Sequence, residues 1–207
     1  IMEHHANLVT WQYVAEKTGA KLVYLYIDEN KEIPKKEIEE KITAKTKLFA
    51  ITQSSNVLGT MPDVKSMIAY LRKVSPDAKA VVDGAQAAPH MPVDVKDLDC
   101  DFYVFSGHKM LAAMGAGVLY GKLDNLNAMK PYMYGGDMIE YVYEDHSTFL
   151  KAPGRFEAGT QDVGAASSLP VAIDYLNAIG LDKIHEYESY LVDYAYDAMS
   201  QMDDITI

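Results

Sequence analysis

Cysteine is almost absent from this chain. One in 207 residues excludes an intrachain disulfide framework and fits a reducing compartment, the cytoplasm. Long apolar runs are missing: nothing approaches the ~20 residues of a membrane span, and no signal peptide is visible. Positive charge is scarce too. Lys and Arg number 19 against 30 Asp and Glu, for a net charge of −11. That excludes the basic surface a nucleic-acid partner wants and adhesion to an anionic membrane; the acidity reads as solubility. There is no internal repeat and no low-complexity segment. The chain opens at Ile1-Met2-Glu3-His4-His5 and stops at Asp204-Ile205-Thr206-Ile207, and both ends read as cut.

What remains is ordinary globular material, 49% hydrophobic and 24% charged, enough for one core and a second, smaller module. Residues 8–18 read as a helix with Gly19 as its stop, and 21–27 as a β-rich strand. Pro34 opens a short charged helix to about residue 42. Residues 48–52 read as a strand, followed by a polar loop over 53–59. Val64, Met67, Ile68 and Leu71 have the spacing of a core-facing helical stripe begun by Pro62 and Asp63. Strands follow before Asp83, over 102–105 and over 115–120. Residues 129–159 read as a long irregular loop, functional or a partner surface. Helices are expected over 163–178, which Pro170 should break or start, and over about 182–199. The alternation argues for an α/β fold, a mainly parallel sheet with helices on both faces.

Two strand ends carry chemistry. Ala80-Val81-Val82 runs into Asp83-Gly84-Ala85-Gln86, and Phe102-Tyr103-Val104-Phe105 runs into Ser106-Gly107-His108-Lys109. Ligands of open α/β sheets sit outside the carboxyl ends of the strands. An Asp and a Lys at neighbouring strand ends are what pyridoxal 5′-phosphate (PLP) needs. The Lys forms a Schiff base with its aldehyde, and the Asp keeps its ring nitrogen protonated so that the ring can act as an electron sink. Against a surface Lys and a turn Asp, the pairing decides for chemistry. Gln86 can reach the phenolic oxygen, and Ser106 and His108 offer hydrogen bonds to a phosphate, with a structural histidine as the alternative for His108. One of His4 and His5 can stack on the ring and act as acid or base; adjacent histidines point apart, which argues against a metal pair. Cys100 lies between Asp99 and Asp101 on the approach to a buried strand, and reads as buried filler rather than a nucleophile.

In order along the chain stand Glu3-His4-His5-Ala6-Asn7, Ser55-Asn56-Val57-Leu58-Gly59, Val82-Asp83-Gly84-Ala85-Gln86, the run Asp99 to Lys109, and Arg155-Phe156-Glu157-Ala158-Gly159-Thr160. With this ordered set the chain resembles the class V aminotransferase family, specifically the SUF-type cysteine desulfurases, also described as selenocysteine lyases. The resemblance implies the large domain of a type I PLP-dependent transferase fold over residues 1–162. Residues 163–207 would be helices leading into a truncated C-terminal small domain. It implies a homodimer that removes sulfur from L-cysteine, or L-selenocysteine's selenium, and leaves L-alanine. The sulfur would pass as a persulfide to an acceptor protein for iron–sulfur cluster assembly. By motif, Lys109 is the Schiff-base lysine, Asp83 the pyridinium partner and Gln86 the partner of the phenolic oxygen. His5 stacks on the ring, Ser106 and His108 bind phosphate, Asn56 lies near the substrate carboxylate, and Thr160 reaches the phosphate of the other subunit's cofactor.

The chain also departs from the family pattern. An opening segment that helps hold the phosphate lies before Ile1, and the persulfide cysteine and the carboxylate-binding arginine lie beyond Ile207. Cys100 does not match the position of that cysteine. The loop Leu111-Ala112-Ala113-Met114-Gly115 lacks the usual Pro and Thr, and Asp162 after Thr160 would repel a phosphate. The chain alone is therefore expected to be inactive. Two other readings stand beside this one: a non-catalytic PLP-fold fragment or degenerate paralogue acting as a binding domain, and another class V aminotransferase.

Overall fold

The computed structural model describes residues 2–206. Its centre is a four-stranded sheet in the order β1-β2-β3-β4. β1 (Leu48–Thr52), β2 (Lys79–Asp83) and β3 (Phe102–Ser106) run parallel, and β4 (Gly117–Gly121) lies antiparallel on β3. Ile51 pairs with Val82 and Val82 with Tyr103; Thr52 pairs with Asp83 and Asp83 with Val104. Side chains alternate across a strand. Phe49, Ile51, Ala80, Val82 and Tyr103 therefore share one face, and Thr52, Asp83, Val104 and Ser106 the other.

The first face is the core. Val64, Met67, Ile68 and Leu71 of α3 (Val64–Val74) are all buried against it, as their spacing predicts, and Ile38 of α2 (Lys35–Lys41) joins them with Ile42. Side chains buried to this degree contribute about 1.5–3 kcal/mol each. The Asp63 carboxylate starts α3 by accepting the Ser66 N–H (3.0 Å).

Several local expectations need correction. Residues 21–27 stay out of the sheet and lie beside α2. There the Tyr26 N–H donates to Glu37 (2.8 Å) and the Tyr24 carbonyl accepts from Lys41 (2.8 Å), whose ammonium stands 4.4 Å from the Tyr26 ring centre. Side chains of the charged helix thus take backbone groups that a neighbouring strand would have paired. α1 (His5–Thr18) starts earlier than its apolar pattern because His4 caps it, and Gly19 ends it at φ 71°. Turns fill the connection 84–101 between β2 and β3, which carries Pro89 and Pro92. The 129–159 segment holds a two-stranded antiparallel ribbon, β5 (Ile139–Val142) and β6 (Ser147–Phe149). After the short α4 (Leu123–Ala128) and this ribbon comes α5 (Val163–Ile179), which runs through Pro170. That proline removes one backbone donor without ending the helix. Gly180, at φ 97°, turns the chain into α6 (Leu181–Ser200). α6 is tied back to the 84–101 connection by His90 Nδ1 and Glu188 Oε1, 2.8 Å apart. Among the described residues no helix is long and apolar enough to cross a membrane.

A buried charge network holds the amino-terminal end of the sheet. Asp101 Oδ2 accepts the Ala80 N–H (2.7 Å) and Arg72 (2.8 Å), and its Oδ1 accepts Asn125 (2.8 Å). Arg72 also donates to the Ala78 carbonyl (2.7 Å) and to Asp99 (3.1 Å). One guanidinium thereby joins α3 to β2 and to the entry of β3. Burial alone would raise the Asp101 carboxyl, but the Ala80 N–H, Arg72 and Asn125 outweigh it and hold it below the usual carboxylate range. Asp101→Ala leaves the Ala80 N–H without its acceptor and strips Arg72 of its buried partner, leaving it Asp99 and the Ala78 carbonyl, and is expected to cost about 1–3 kcal/mol in urea unfolding. Because the folded carboxyl is the stronger acid, its contribution is present above the unfolded value of about 3.9 and is lost as pH falls through the folded value. The variant should therefore show a flatter stability profile than the parent chain below about pH 4.

Candidate functional site

The parallel strands β1, β2 and β3 deliver their carboxyl ends to one edge of the sheet. The chain leaves that edge through the loop 53–59, the turn after Asp83 and a 3₁₀ turn, Gly107–Met110. Asp83 is the last residue of β2. Its Oδ1 accepts the Ala85 N–H (2.9 Å), and among the described residues no cation pairs with the carboxylate. Lys109 rides on the 3₁₀ turn, half-buried, with no ion pair or hydrogen bond among the described residues. Leu111, at φ 68°, closes that turn with its N–H on the Gly107 carbonyl. Ser106 ends β3, half-buried on the Asp83 face; His108 is exposed on the turn, and Gln86 is half-buried just after β2.

Two glycines at this edge have close neighbours where a side chain would stand. A Cβ on Gly84 would fall 2.0 Å from Tyr103 Cζ. That ring is fixed beneath the strand end, because its hydroxyl donates to Gln53 Oε1 (2.6 Å) in a buried hydrogen bond. Burial pushes the Tyr103 hydroxyl far above its ordinary pKa, so it stays a donor. A Cβ on Gly107 would meet the Ala116 carbonyl oxygen at 3.0 Å and Leu169 Cδ2 at 3.1 Å.

α1 meets the same edge. Glu3 Oε1 accepts the N–H of Thr52, the last residue of β1 (2.9 Å), and Glu3 Oε2 accepts Asn7 Nδ2 (2.6 Å). Burial raises the Glu3 carboxyl above its ordinary value; the two hydrogen bonds oppose this, and the nearby Asp83 charge adds to it. His4 is committed as the cap of α1, its Nδ1 accepting the Ala6 N–H (3.1 Å). His5 is exposed, with no hydrogen bond from its ring among the described residues, so the cap gives His4 a task that His5, the histidine the motif singles out, does not share. Their ring centres lie 6.2 Å apart and tilted. Asn56 is exposed in the loop after β1, where Ser55 Oγ takes the Leu58 N–H (3.2 Å).

Lys109, Asp83, Gln86, Ser106, His108, His5 and Asn56 thus stand on elements that meet at one edge. Thr160 does not join them by any hydrogen bond among the described residues; it is exposed ahead of α5. The neighbouring Asp162 has a local task. Its Oδ1 accepts the Ala165 N–H (2.9 Å) as the cap of α5, so its charge faces a helix amino terminus. The unusual loop before β4 is held by the same helix, the Ala113 N–H donating to Ser168 Oγ (2.9 Å). Arg155 braces 127–155 by donating to the carbonyls of Asn127 (2.6 Å), Met129 (2.9 Å) and Leu150 (2.8 Å). Cys100 is fully buried, and burial pushes its thiol up to about 11.

Glu3, Gln53 and Tyr103 are the site residues that pattern reasoning leaves without a role. Glu3 sits inside a quoted motif, but its partner is 49 residues away. Nothing in the spacing of Gln53 and Tyr103 announces their hydrogen bond.

A family profile described as aminotransferase class-V matches residues 1–207. A cysteine desulfurase of Enterobacter sp. (strain 638) is 47% identical over 207 residues, 100% of this chain and 50% of that protein. Among solved structures, the cysteine desulfurase CsdA of Escherichia coli, in an S-sulfonic acid form, is similar with a TM-score of 0.92 at 39% identity, over 97% of this chain and 50% of that one. A cystine C–S lyase mutant with glycine covalently linked to its PLP cofactor shares the fold, with a TM-score of 0.85 at 21% identity over 98% of this chain and 54% of that one. The chain spans about half the length of the curated relatives it matches.

Two outcomes follow from this geometry. Gly84→Ala should destabilise the chain by about 1–3 kcal/mol through overpacking, and the loss should shrink when Tyr103→Leu is combined with it, as a thermal-unfolding double-mutant cycle would report. Cys100 should react with a thiol reagent at pH 8 only as fast as the chain opens, because the thiol is fully buried and the reactive form is the thiolate; labelling in the presence and absence of denaturant checks this.

Proposed function

Because the chain belongs to the aminotransferase class-V family, we propose that it is the cofactor-binding core of a PLP-dependent cysteine desulfurase. The observation that carries the reading is the unpaired, half-buried Lys109 on the same strand-end edge as an Asp83 carboxylate without a cation. The donor set fits the cofactor: a primary amine for its aldehyde, a carboxylate for its ring nitrogen, and Gln86, Ser106 and His108 for its oxygens. When bound, PLP supplies an electron sink for the electrons of a bond broken at the substrate Cα.

The chain's own residues divide the remaining work. Lys109 holds the cofactor and, once released by the substrate amine, moves the Cα proton. Asp83 keeps a proton on the ring nitrogen, since an opposite charge close by favours the protonated form. His5 covers the ring and exchanges protons with the substrate. Asn56 orients the carboxylate of L-cysteine or L-selenocysteine. Thr160 serves the phosphate of a partner copy, which makes the working unit a homodimer. Residues 1–162 form the large domain, and 163–207 lead into a smaller one. The reducing cytoplasm suits a chain with one cysteine. Sulfur leaves the substrate for a thiolate, and Cys100, fully buried and with its thiol pushed up to about 11 by burial, is poorly suited to supply one. The persulfide, and the acceptor protein that takes its sulfur, therefore belong to chemistry outside this chain.

Titrating the chain with PLP should produce a visible absorption band that Lys109→Ala abolishes. Asp83→Asn should keep the band but weaken binding by about tenfold or more, equivalent to ~1.4 kcal/mol. A band that survives in Lys109→Ala contradicts the assignment. Given L-cysteine, the PLP-treated chain should release no alanine catalytically; turnover that Cys100→Ala abolishes would overturn the division of labour.

A further inference from the structure

We propose that Glu3 is a positioning residue that fixes the first turn of α1, and with it His5, to the carboxyl end of β1. The assignment deepens the reading of that edge as a cofactor site and rests on it. Among the described residues β1 is the outer strand of the sheet, hydrogen-bonded to a neighbouring strand on one side. The Gln53 N–H turns inward to the Asp83 carbonyl (2.9 Å), so the Thr52 N–H one residue earlier faces the open edge. A backbone donor there needs an acceptor. Glu3 provides it across 49 residues of sequence, at 2.9 Å.

The same carboxylate reaches along α1. Its second oxygen accepts Asn7 Nδ2 at 2.6 Å, and Asn7 Oδ1 accepts the Trp11 indole N–H at 2.8 Å. Glu3, Asn7 and Trp11 are spaced by one helical turn each, so the chain of bonds runs up one side of the helix. Glu3 therefore joins a strand end to a helix start, two residues before His5. A carboxylate is required. Both oxygens accept, whereas a glutamine has one acceptor and would set its own NH₂ against that of Asn7. Flipping Asn7 to relieve this would turn its NH₂ against the Trp11 N–H. With His4 spent on the cap, His5 is the free imidazole carried by the backbone that Glu3 anchors.

Trp11 is the only tryptophan in the sequence, so its emission reports this network directly in the full chain without cofactor. Glu3→Ala should speed amide exchange at Thr52 by about tenfold or more, shift Trp11 emission, and move the His5 ring-proton resonances to those of an unstructured peptide. Glu3→Gln, which keeps one acceptor, should leave Thr52 protected yet still shift Trp11, and it guards against a general loss of fold. With PLP added, the effects of Glu3→Ala and His5→Ala on its dissociation constant should not multiply, because both act through one imidazole. Unchanged His5 resonances in Glu3→Ala, unchanged Thr52 exchange, or two independent effects on PLP binding would each overturn the proposal. If the parent chain takes up no PLP at all, the cofactor reading fails while the His5 and Thr52 measurements still decide the role of Glu3.

Discussion

The in-register parallel pairing of β1, β2 and β3 is the constraint on which the site depends. Thr52 opposite Asp83 ends β1 and β2 level, and Asp83 opposite Val104 lets β3 run two residues further to Ser106, so that the three turns leave from one edge. A slip of one residue would carry every side chain to the other face of the sheet. Asp83 would then point into the core and Val82 into the site. What prevents the slip is apolar burial. Ile51, Val82 and Tyr103 must stay under Val64, Met67, Ile68 and Leu71, and the Arg72–Asp101 network holds the opposite end of the same strands. Core packing and a buried ion pair thus place the polar residues at the strand ends.

Much of this is legible in the residues. The α3 stripe, the strand over 48–52, the Asp83 and Lys109 strand ends and the stop at Gly19 follow from local periodicity and turn chemistry. Failures cluster where long-range partners decide. Residues 21–27 have β-rich composition, yet Glu37 and Lys41 of α2 take their backbone groups. The direction of β4 and the ribbon within 129–159 depend on pairings that no local pattern encodes. Pro170 is a breaker by rule, but α5 continues past it. Their pattern alone leaves the histidines at positions 4 and 5 alike; the family motif singles out His5, and the cap geometry gives His4 its own task.

Charge is distributed with the same economy. The carboxylates at the strand-end edge, Asp83 and Glu3, lie close enough for Asp83 to raise the Glu3 carboxyl, and the unpaired Lys109 ammonium shares that edge. At the other end of the sheet Asp99 and Asp101 are neutralised by Arg72 and Lys122. The acidic cluster around Cys100 is therefore a structural clamp, and the thiol it surrounds is buried. Half the length of the curated relatives is enough to carry the sheet, the strand-end edge and the amine, but no thiol suited to sulfur transfer.

The most direct test of this account is to load the chain with PLP, reduce it with borohydride and map the added mass by peptide sequencing in a mass spectrometer. The account predicts one modified residue, Lys109, in the peptide that follows β3. Label spread over surface lysines, or concentrated on any lysine other than Lys109, would contradict it.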